Sequence, residues 1–233
     1  MDQQAHSLDN PIWTALVTEQ AHLGMGDALA CRYHPDVAPF AAMASESPSG
    51  WQALSRLLAP GQSVAILSSD APKPPDSLRA QPAGVIHQMI ATRRDARAPG
   101  LGEDPDIVAL GSADAAAMVE LAQKTQPGPF CPRTHEMGRY LGVRAHGRLI
   151  AMAGERMHPA GHVEISAVCV DEAWRGKGLA ARLVQRLEAE IWHRGESPFL
   201  HVLRHNSHAI ALYDRLGFRL RQTFHLTLIG LAS

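Results

Sequence analysis

The residues with the clearest chemical potential are Asp171-Glu172-Ala173-Trp174-Arg175-Gly176-Lys177-Gly178-Leu179-Ala180, which join a strand-like run to a helix-like one. Such a junction binds anions for three physical reasons. Small residues let the backbone approach a phosphate, the first amides of a helix are unpaired, and the helix dipole adds partial positive charge. Arg175 and Lys177 add full charges, although the backbone sets the geometry. The spacing is neither Gly-x-x-x-x-Gly-Lys-Ser/Thr nor Gly-x-Gly-x-x-Gly, which sets aside the nucleotide-triphosphate and dinucleotide loops. Taken alone, so short a motif reads equally well as a tight glycine-rich turn.

The elements around the loop follow from periodicity. His162 to Val170 is a strand candidate. The helix after the loop carries apolar residues at 179, 183, 187 and 191, the spacing of one face. Phe199 to Leu203 is a short buried strand, so strand, helix and parallel strand form one right-handed unit. A last helix is predicted from Ser207 to Leu216, with Asn206 as N-cap and Gly217 ending it. Phe218 to Ile229 supplies one or two closing strands. Upstream, Tyr140 to Ala145, a His146-Gly147 turn and Arg148 to Met157 read as an antiparallel hairpin. Ser112 is the expected N-cap of an Ala-rich helix over 113 to 124, and 125 to 133 is a loop.

Two stretches break the patterning: residues 71 to 76, rich in proline, and residues 93 to 105, with Pro99-Gly100-Leu101-Gly102 at their centre. The second is the expected domain boundary, leaving residues 1–105 as a smaller α/β region and residues 106–233 as a second domain. In the first region Gly50 to Leu58 reads as a helix, and Ser63 to Leu67 and Ala83 to Ala91 as strands. No recognised chemical motif falls there.

A hydrophobic fraction of 45% and a charged fraction of 19% are those of an ordinary globular protein. A net charge of -1 without a Lys/Arg run offers no footprint for phosphate backbones, so no nucleic-acid partner is expected. Met1 to His6 has neither the basic start nor the apolar stretch of a secretory signal, and no window is apolar enough to span a bilayer. The expectation is a cytoplasmic protein with no membrane partner. Cys31, Cys131 and Cys169 are few and widely spaced, which argues against a disulfide framework or a Cys-based zinc site. His201, His205 and His208 fall on a strand, a loop and a helix, a poor arrangement for a metal, so none is expected.

Arg175, Gly178 and Ala180 fit the motif Arg/Gln-x-x-Gly-x-Gly/Ala of the Gcn5-related N-acetyltransferase (GNAT) superfamily. The supporting text is Glu164-Ile165-Ser166-Ala167-Val168-Cys169-Val170 before the loop. After it come Phe199-Leu200-His201-Val202, Asn206, Ala209, Tyr213 and Leu216-Gly217-Phe218. Together they resemble the FR47-like branch of that superfamily, from about Asp106 to the end. The resemblance implies a GNAT-like mixed α/β fold in the C-terminal half and acetyl-CoA as cosubstrate. The residues it assigns to the coenzyme are Val168, Cys169, Val170, Arg175, Gly176, Lys177, Gly178, Leu179, Ala180, Asn206, Ala209 and Tyr213.

The resemblance further implies that the strands ending at Val170 and near Leu203 splay apart and admit the pantetheine arm, which hydrogen-bonds the first strand as an added strand would. An amide near Val168 would polarise the thioester carbonyl. Tyr213 takes the place of the residue that protonates the departing thiolate. A phenol of reference pKa about 10 keeps its proton at neutral pH. A primary amine of pKa about 10.4 must lose a proton before it attacks, and Glu164 is the candidate base. Strand alternation puts Glu164 on the face of Ser166 and Val168 if no bulge intervenes. A structural part for Glu164 is the other reading, and Glu155 and His162 are further candidates. The acceptor is expected between the loop from Pro127 to Arg133, the turn at His158 to Gly161 and the carboxyl ends of the central strands, where Arg133 could meet a carboxylate.

These readings leave two functions open: transfer of acetyl to a primary amine of a small molecule or peptide, and a non-catalytic acyl-CoA-binding regulatory module. A monomer and a homodimer fit equally. The first hundred residues read as a degenerate copy of the half-fold, a substrate cover or a dimerisation element.

Overall fold

The computed structural model describes residues 7–92, 104 and 106–232. Met1 to His6 and nearly all of the expected boundary at 93 to 105 lie outside them. In chain order the elements are α1 (Pro11–Val17), β1 (Gly24–Gly26), β2 (Ala30–Tyr33), β3 (Ala41–Met43), α2 (Pro48–Arg56), β4 (Ser63–Ser68) and β5 (Leu78–Ala91). Then come β6 (Ile107–Leu110), α3 (Ala115–Thr125), β7 (Tyr140–Ala145), β8 (Arg148–Glu155), β9 (His162–Val170), α4 (Leu179–His193), β10 (Ser197–Leu203), α5 (Ser207–Arg215) and β11 (Phe218–Leu231).

Strands β1, β2 and β3 form a small antiparallel sheet. The other eight form one mixed sheet in the order β4-β11-β5-β10-β9-β8-β7-β6. Strands from both sides of residues 93–105 therefore share one sheet. β5 runs antiparallel between β10 and β11, and β4 closes the far edge against β11. The parallel pairing of β9 with β10 brackets α4, as the strand, helix, strand pattern requires.

α4 buries Leu179, Leu183, Val184, Leu187 and Ile191 in a single stripe against one face of β8, β9 and β10. α3 and the N-terminal region cover the other face: Met118 and Leu121 meet Tyr140, Met152, Ala167 and Cys169, while Phe199 packs among Leu8, Ile12, Tyr33 and Phe40. Between β7 and β8, His146 (φ 49°) and Gly147 (φ 78°) make the two-residue turn of a right-twisted hairpin, in which both positions need left-handed backbone.

Two expectations change and one open alternative is resolved. Ser112 does not cap α3. It begins a short 3-10 turn, and Asp114 instead accepts from the Gly111 amide at 2.9 Å. The chain from Phe218 forms one strand of 14 residues, bulged near Arg221 and long enough to serve both β5 and β4. The reading of residues 1–105 lacked α1 and the small sheet, whose elements span only three to seven residues.

One buried side chain stitches the N-terminal region to the rest. Gln20 donates from Nε2 to the carbonyls of Met137 (2.8 Å) and Arg156 (2.6 Å), and its Oε1 accepts from the Tyr33 hydroxyl at 2.6 Å. Gln20→Ala leaves these buried groups without partners. It is expected to lower the unfolding free energy by about 3 kcal/mol in urea titrations; a change below about 0.5 kcal/mol would mean the stitch is dispensable.

Candidate active site

β9 and β10 pair only through Ser197 with His162, Pro198 with Val163 and Phe199 with Glu164. Beyond that point both strands continue, β9 to Val170 and β10 to Leu203, without pairing to each other. The result is a fork whose apex is Glu164 and whose mouth lies at the carboxyl ends of the strands. A cavity of about 450 Å³ occupies it. Ser166, Ala167 and Val168 line it from β9, Val202 and Leu203 from β10, Asn206, Ala209 and Tyr213 from the α5 segment, and Pro127 to Pro129 from the loop after α3.

A bulge shapes the fork. Gly154 pairs with Ser166 and Met152 with Cys169, so β9 holds one residue more than β8 over this interval, and Ala167 sits at φ 52°. The extra residue reverses the alternation. Val163 and Ile165 face α4 before it, whereas Val168 and Val170 face α4 after it and Ala167 and Cys169 face α3. The expectation that Glu164 shares a face with Val168 therefore fails, because the condition of no bulge is not met.

The phosphate-loop candidates stand at the mouth. Gly176 (φ 77°) and Gly178 (φ 76°) take left-handed backbone with open space where a side chain would begin. Among the described residues the amides of Gly176, Lys177 and Gly178 have no backbone acceptor, and no side chain caps α4. Unpaired amides, a helix of 15 residues and two flanking cations fit the diphosphate of a coenzyme. Asp171 anchors the turn by accepting from the Ala173 amide (3.2 Å) and the Lys124 ammonium (2.6 Å). Lys177 Nζ rests 4.2 Å above the Trp174 ring, and Arg175 Nε reaches the Val170 carbonyl at 3.4 Å. Leu179 opens the helix with its side chain in the core and Ala180 follows it, so the part of both toward an anion is their amides. Asn206 caps α5 through the Ala209 amide at 3.1 Å.

Tyr213 lines the cavity, packs edge-to-face on Phe218 and makes no hydrogen bond through its hydroxyl among the described residues. Burial pushes its pKa up to about 12, so the phenol is a proton carrier at neutral pH. Burial likewise raises the Cys169 thiol to about 11 and keeps it protonated.

Glu164 has a different character from a proton acceptor. It is fully buried and receives two hydrogen bonds from the Arg156 guanidinium (2.8 and 2.6 Å) and one from His201 Nδ1 (2.7 Å). Burial alone would raise its pKa. The charge and hydrogen bonds of Arg156, with those of His201, outweigh this and hold the carboxylate well below its usual range. The remaining candidates lie elsewhere. Glu155 is bound to Arg194 (2.7 Å), His162 Nδ1 contacts Ser7 Oγ (3.1 Å), and neither lines the cavity. Arg133 grips Glu136 with two hydrogen bonds at the surface. The turn at His158 to Gly161 precedes β9 and so lies at the wrong end of the strand; His158 pairs there with Glu196.

In their place, residues of the N-terminal region complete the cavity. Pro39, Phe40, Ala65 and Leu67 join Ile86, Leu226 and Leu228 along its inner wall, with Arg156, Met157 and His201 at the fork apex. The short apolar run from Ser63 to Leu67 marked it as a strand, yet nothing in the sequence said that this strand would meet β11 beside the fork.

Comparisons with known proteins agree with this geometry. The FR47-like protein family model matches residues 140–226, the stretch that contains the fork, the loop and α5. The N-alpha-acetyltransferase RimI of Mycobacterium tuberculosis is 32% identical over 128 residues, which are 50% of this chain and 80% of that protein. The uncharacterized N-acetyltransferase YdgE of Bacillus subtilis is 37% identical over 86 residues, and the matched stretch spans about half of that protein. A protein of the GNAT family from Novosphingobium aromaticivorans, known from a crystal structure, is 39% identical; the match covers 98% of this chain and 100% of that one, with a TM-score of 0.89. A fork closed at Glu164, a glycine-rich helix start at its mouth, a relative 32% identical over 80% of its length and a solved structure matched over all of its length have one common explanation: this chain belongs to the GNAT superfamily of N-acetyltransferases, as an FR47-like member.

Proposed function

We propose that the protein transfers the acetyl group of acetyl-CoA to a primary amine by direct attack of the amine on the thioester. The observation that carries this reading is the position of the unpartnered Tyr213 hydroxyl in the cavity between the splayed strands, with the amide-rich loop 175–180 at the same mouth. In this reading the amides of Gly176, Lys177, Gly178, Leu179 and Ala180 hold the diphosphate. Val168, Cys169 and Val170 offer their backbone to the pantetheine arm, and Asn206 and Ala209 border it. The turned backbone at Ala167 aims the Val168 amide toward the oxygen on which charge develops. Tyr213 gives its proton to the sulfur as the C–S bond breaks and the amide forms, and it regains a proton from the one the attacking amine loses, by way of water, so that thiol and amide leave with Tyr213 restored.

Glu164 serves this reading as a positioning residue. Its carboxylate keeps Arg156 and His201 fixed at the apex, and no Asp or Glu lines the cavity among the described residues. The amine therefore reacts from its neutral form or hands its proton to water. Residues 1–105, the expected first domain, act as the cover of the acceptor end. The non-catalytic reading loses support because a binding module has no use for a buried, unpartnered phenol beside the thioester position.

Tyr213→Phe should lower kcat by about 10²–10⁴-fold while leaving the Kd for acetyl-CoA within about twofold, read by thiol release and by calorimetry; unchanged turnover would remove Tyr213 from the chemistry. With no carboxylate base in the cavity, the acid-side limb of the kcat/KM profile should move with the pKa of the amine supplied. A limb fixed for amines of different basicity would restore a base carried by the protein.

The folded pKa of Glu164 lies below its unfolded value of about 4.3, so its stabilisation is complete above that pH and is lost as pH falls toward the folded pKa. Glu164→Gln leaves Arg156 buried without a counter-charge, at a cost of about 3–5 kcal/mol near neutrality. Urea unfolding as a function of pH should show this gap from wild type narrowing from about pH 5 downward. A gap independent of pH would mean that the ion pair is not the source of the stability.

A further inference from the structure

The inner end of the cavity is chemically unlike its mouth, and the contrast bears on the acceptor. Its wall is built from paired strands. Leu67 of β4 faces Leu226 of β11, Ala65 faces Leu228, and Phe40 bridges to Ala65 just before β3. These positions, with Ile86 of β5, present an apolar surface fixed by backbone pairing. Phe40 and Ala65 are each 4% exposed, so the wall is the rim of the core rather than a loop that could fold away.

The polar groups at this end are Arg156 and His201, and both are engaged. Arg156 holds Glu164 through two hydrogen bonds and lies 4.9 Å above the centre of the Phe40 ring. His201 donates to Glu164 from Nδ1, and its Nε2 faces the Gln88 amide at 3.2 Å. The charges of Arg156 and Glu164 cancel. An incoming carboxylate would have to compete with Glu164 for a cation already neutralised. A second ammonium would find no carboxylate on the cavity wall among the described residues. A charge brought here unpaired loses its water without compensation, whereas an alkyl or aryl group gains by leaving water.

Resting on the acetyltransferase reading, we propose that the acceptor is a small primary amine carried on an apolar alkyl or aryl body, with no carboxylate and no second ammonium on that body. The N-terminal region is then the specificity element: Phe40, Ala65 and Leu67 select the body of the amine, while the C-terminal half supplies donor and chemistry.

The test is thiol release by the full chain with acetyl-CoA. The acceptors are a homologous series of alkylamines, phenethylamine, and two analogues of hexylamine whose terminal methyl is replaced by ammonium (cadaverine) or carboxylate (aminocaproate); a peptide with an N-terminal alanine completes the set. The inference expects kcat/KM to rise about fourfold per methylene until the wall is filled, the value of one buried methylene. Hexylamine should exceed both charged analogues and the peptide by at least about tenfold. The variant Leu67→Glu should shift the ratio of hexylamine to cadaverine toward cadaverine by at least about tenfold, a change of preference that lost folding alone does not produce. If turnover is present but cadaverine, aminocaproate or the peptide is the best acceptor, or Leu67→Glu leaves the ratio unchanged, the inference is overturned while the acetyltransferase reading stands. If no acceptor releases thiol although calorimetry shows acetyl-CoA bound, both fall together.

Discussion

The carboxylate of Glu164 occupies the last position at which β9 and β10 pair, and much of the site depends on what it does there. Its partner strand contributes His201, the segment after β8 contributes Arg156, and both bind the same carboxylate. A buried ion pair of this kind is retained at a desolvation cost and adds little net stability over an apolar substitute. What it supplies is location. The two strands are tied by side chains at the point where backbone pairing ends, so the fork has a defined apex and the cavity a defined depth. The bulge at Ala167 then turns Val168 and Val170 onto the α4 face. Tie and bulge lie three residues apart and act on one strand, the first fixing where the strands part and the second fixing which groups face the gap.

The tie extends further than the site. His201 meets Gln88 on β5, Gln88 Oε1 accepts from Arg221 on β11 at 3.0 Å, and Arg221 reaches Asp9 ahead of α1. Gln88 Nε2 also donates to the Leu8 carbonyl at 3.0 Å. A line of polar side chains thus crosses four neighbouring strands on the face covered by the N-terminal region, each bonded to the next. Buried polar groups are costly when unpaired and specific when paired, and this line admits one register of β5 between β10 and β11. A slip of β5 by one residue would turn Gln88 to the opposite face and leave His201, Arg221 and the Leu8 carbonyl without their partner.

Much of this was legible in the sequence. The α4 stripe, the His146-Gly147 turn, the strand from His162 to Val170 and the Asn206 cap are local patterns, and local patterns survive in the fold because nothing nearby contradicts them. The glycine turn before α4, with Gly176 and Gly178 in left-handed backbone, is equally local. The reading of Glu164 depended on things that are not local. Alternation placed it on the same face as Val168, and only the pairing of β9 with β8 reveals the extra residue that breaks the alternation. The distance of Arg156 in sequence, eight residues across a turn, gave no sign that its guanidinium would neutralise the carboxylate. Phe40, Ala65, Leu67 and Ile86 are separated by well over a hundred positions from Leu226 and Leu228, beside which they line the inner wall, and no period connects them.

The same geometry explains why a family signature confined to the second half of the chain is compatible with a site that needs both halves. In the sheet order, β10 would be an edge without β5, and an edge strand beside an open fork would leave its amides and carbonyls to solvent or to another chain. β5 closes that edge, β11 pairs with β5 along nearly its full length, and β4 continues the layer. The strands that protect the edge are therefore also the strands that form the inner wall. On the proposed reading, donor binding draws on a loop and a helix start that a short stretch of chain can encode alone. The inner wall, the proposed acceptor end, is built by pairing strands distant in sequence, so on that reading its chemistry can vary through Phe40, Ala65 and Leu67 without disturbing the fork or the glycine-rich loop.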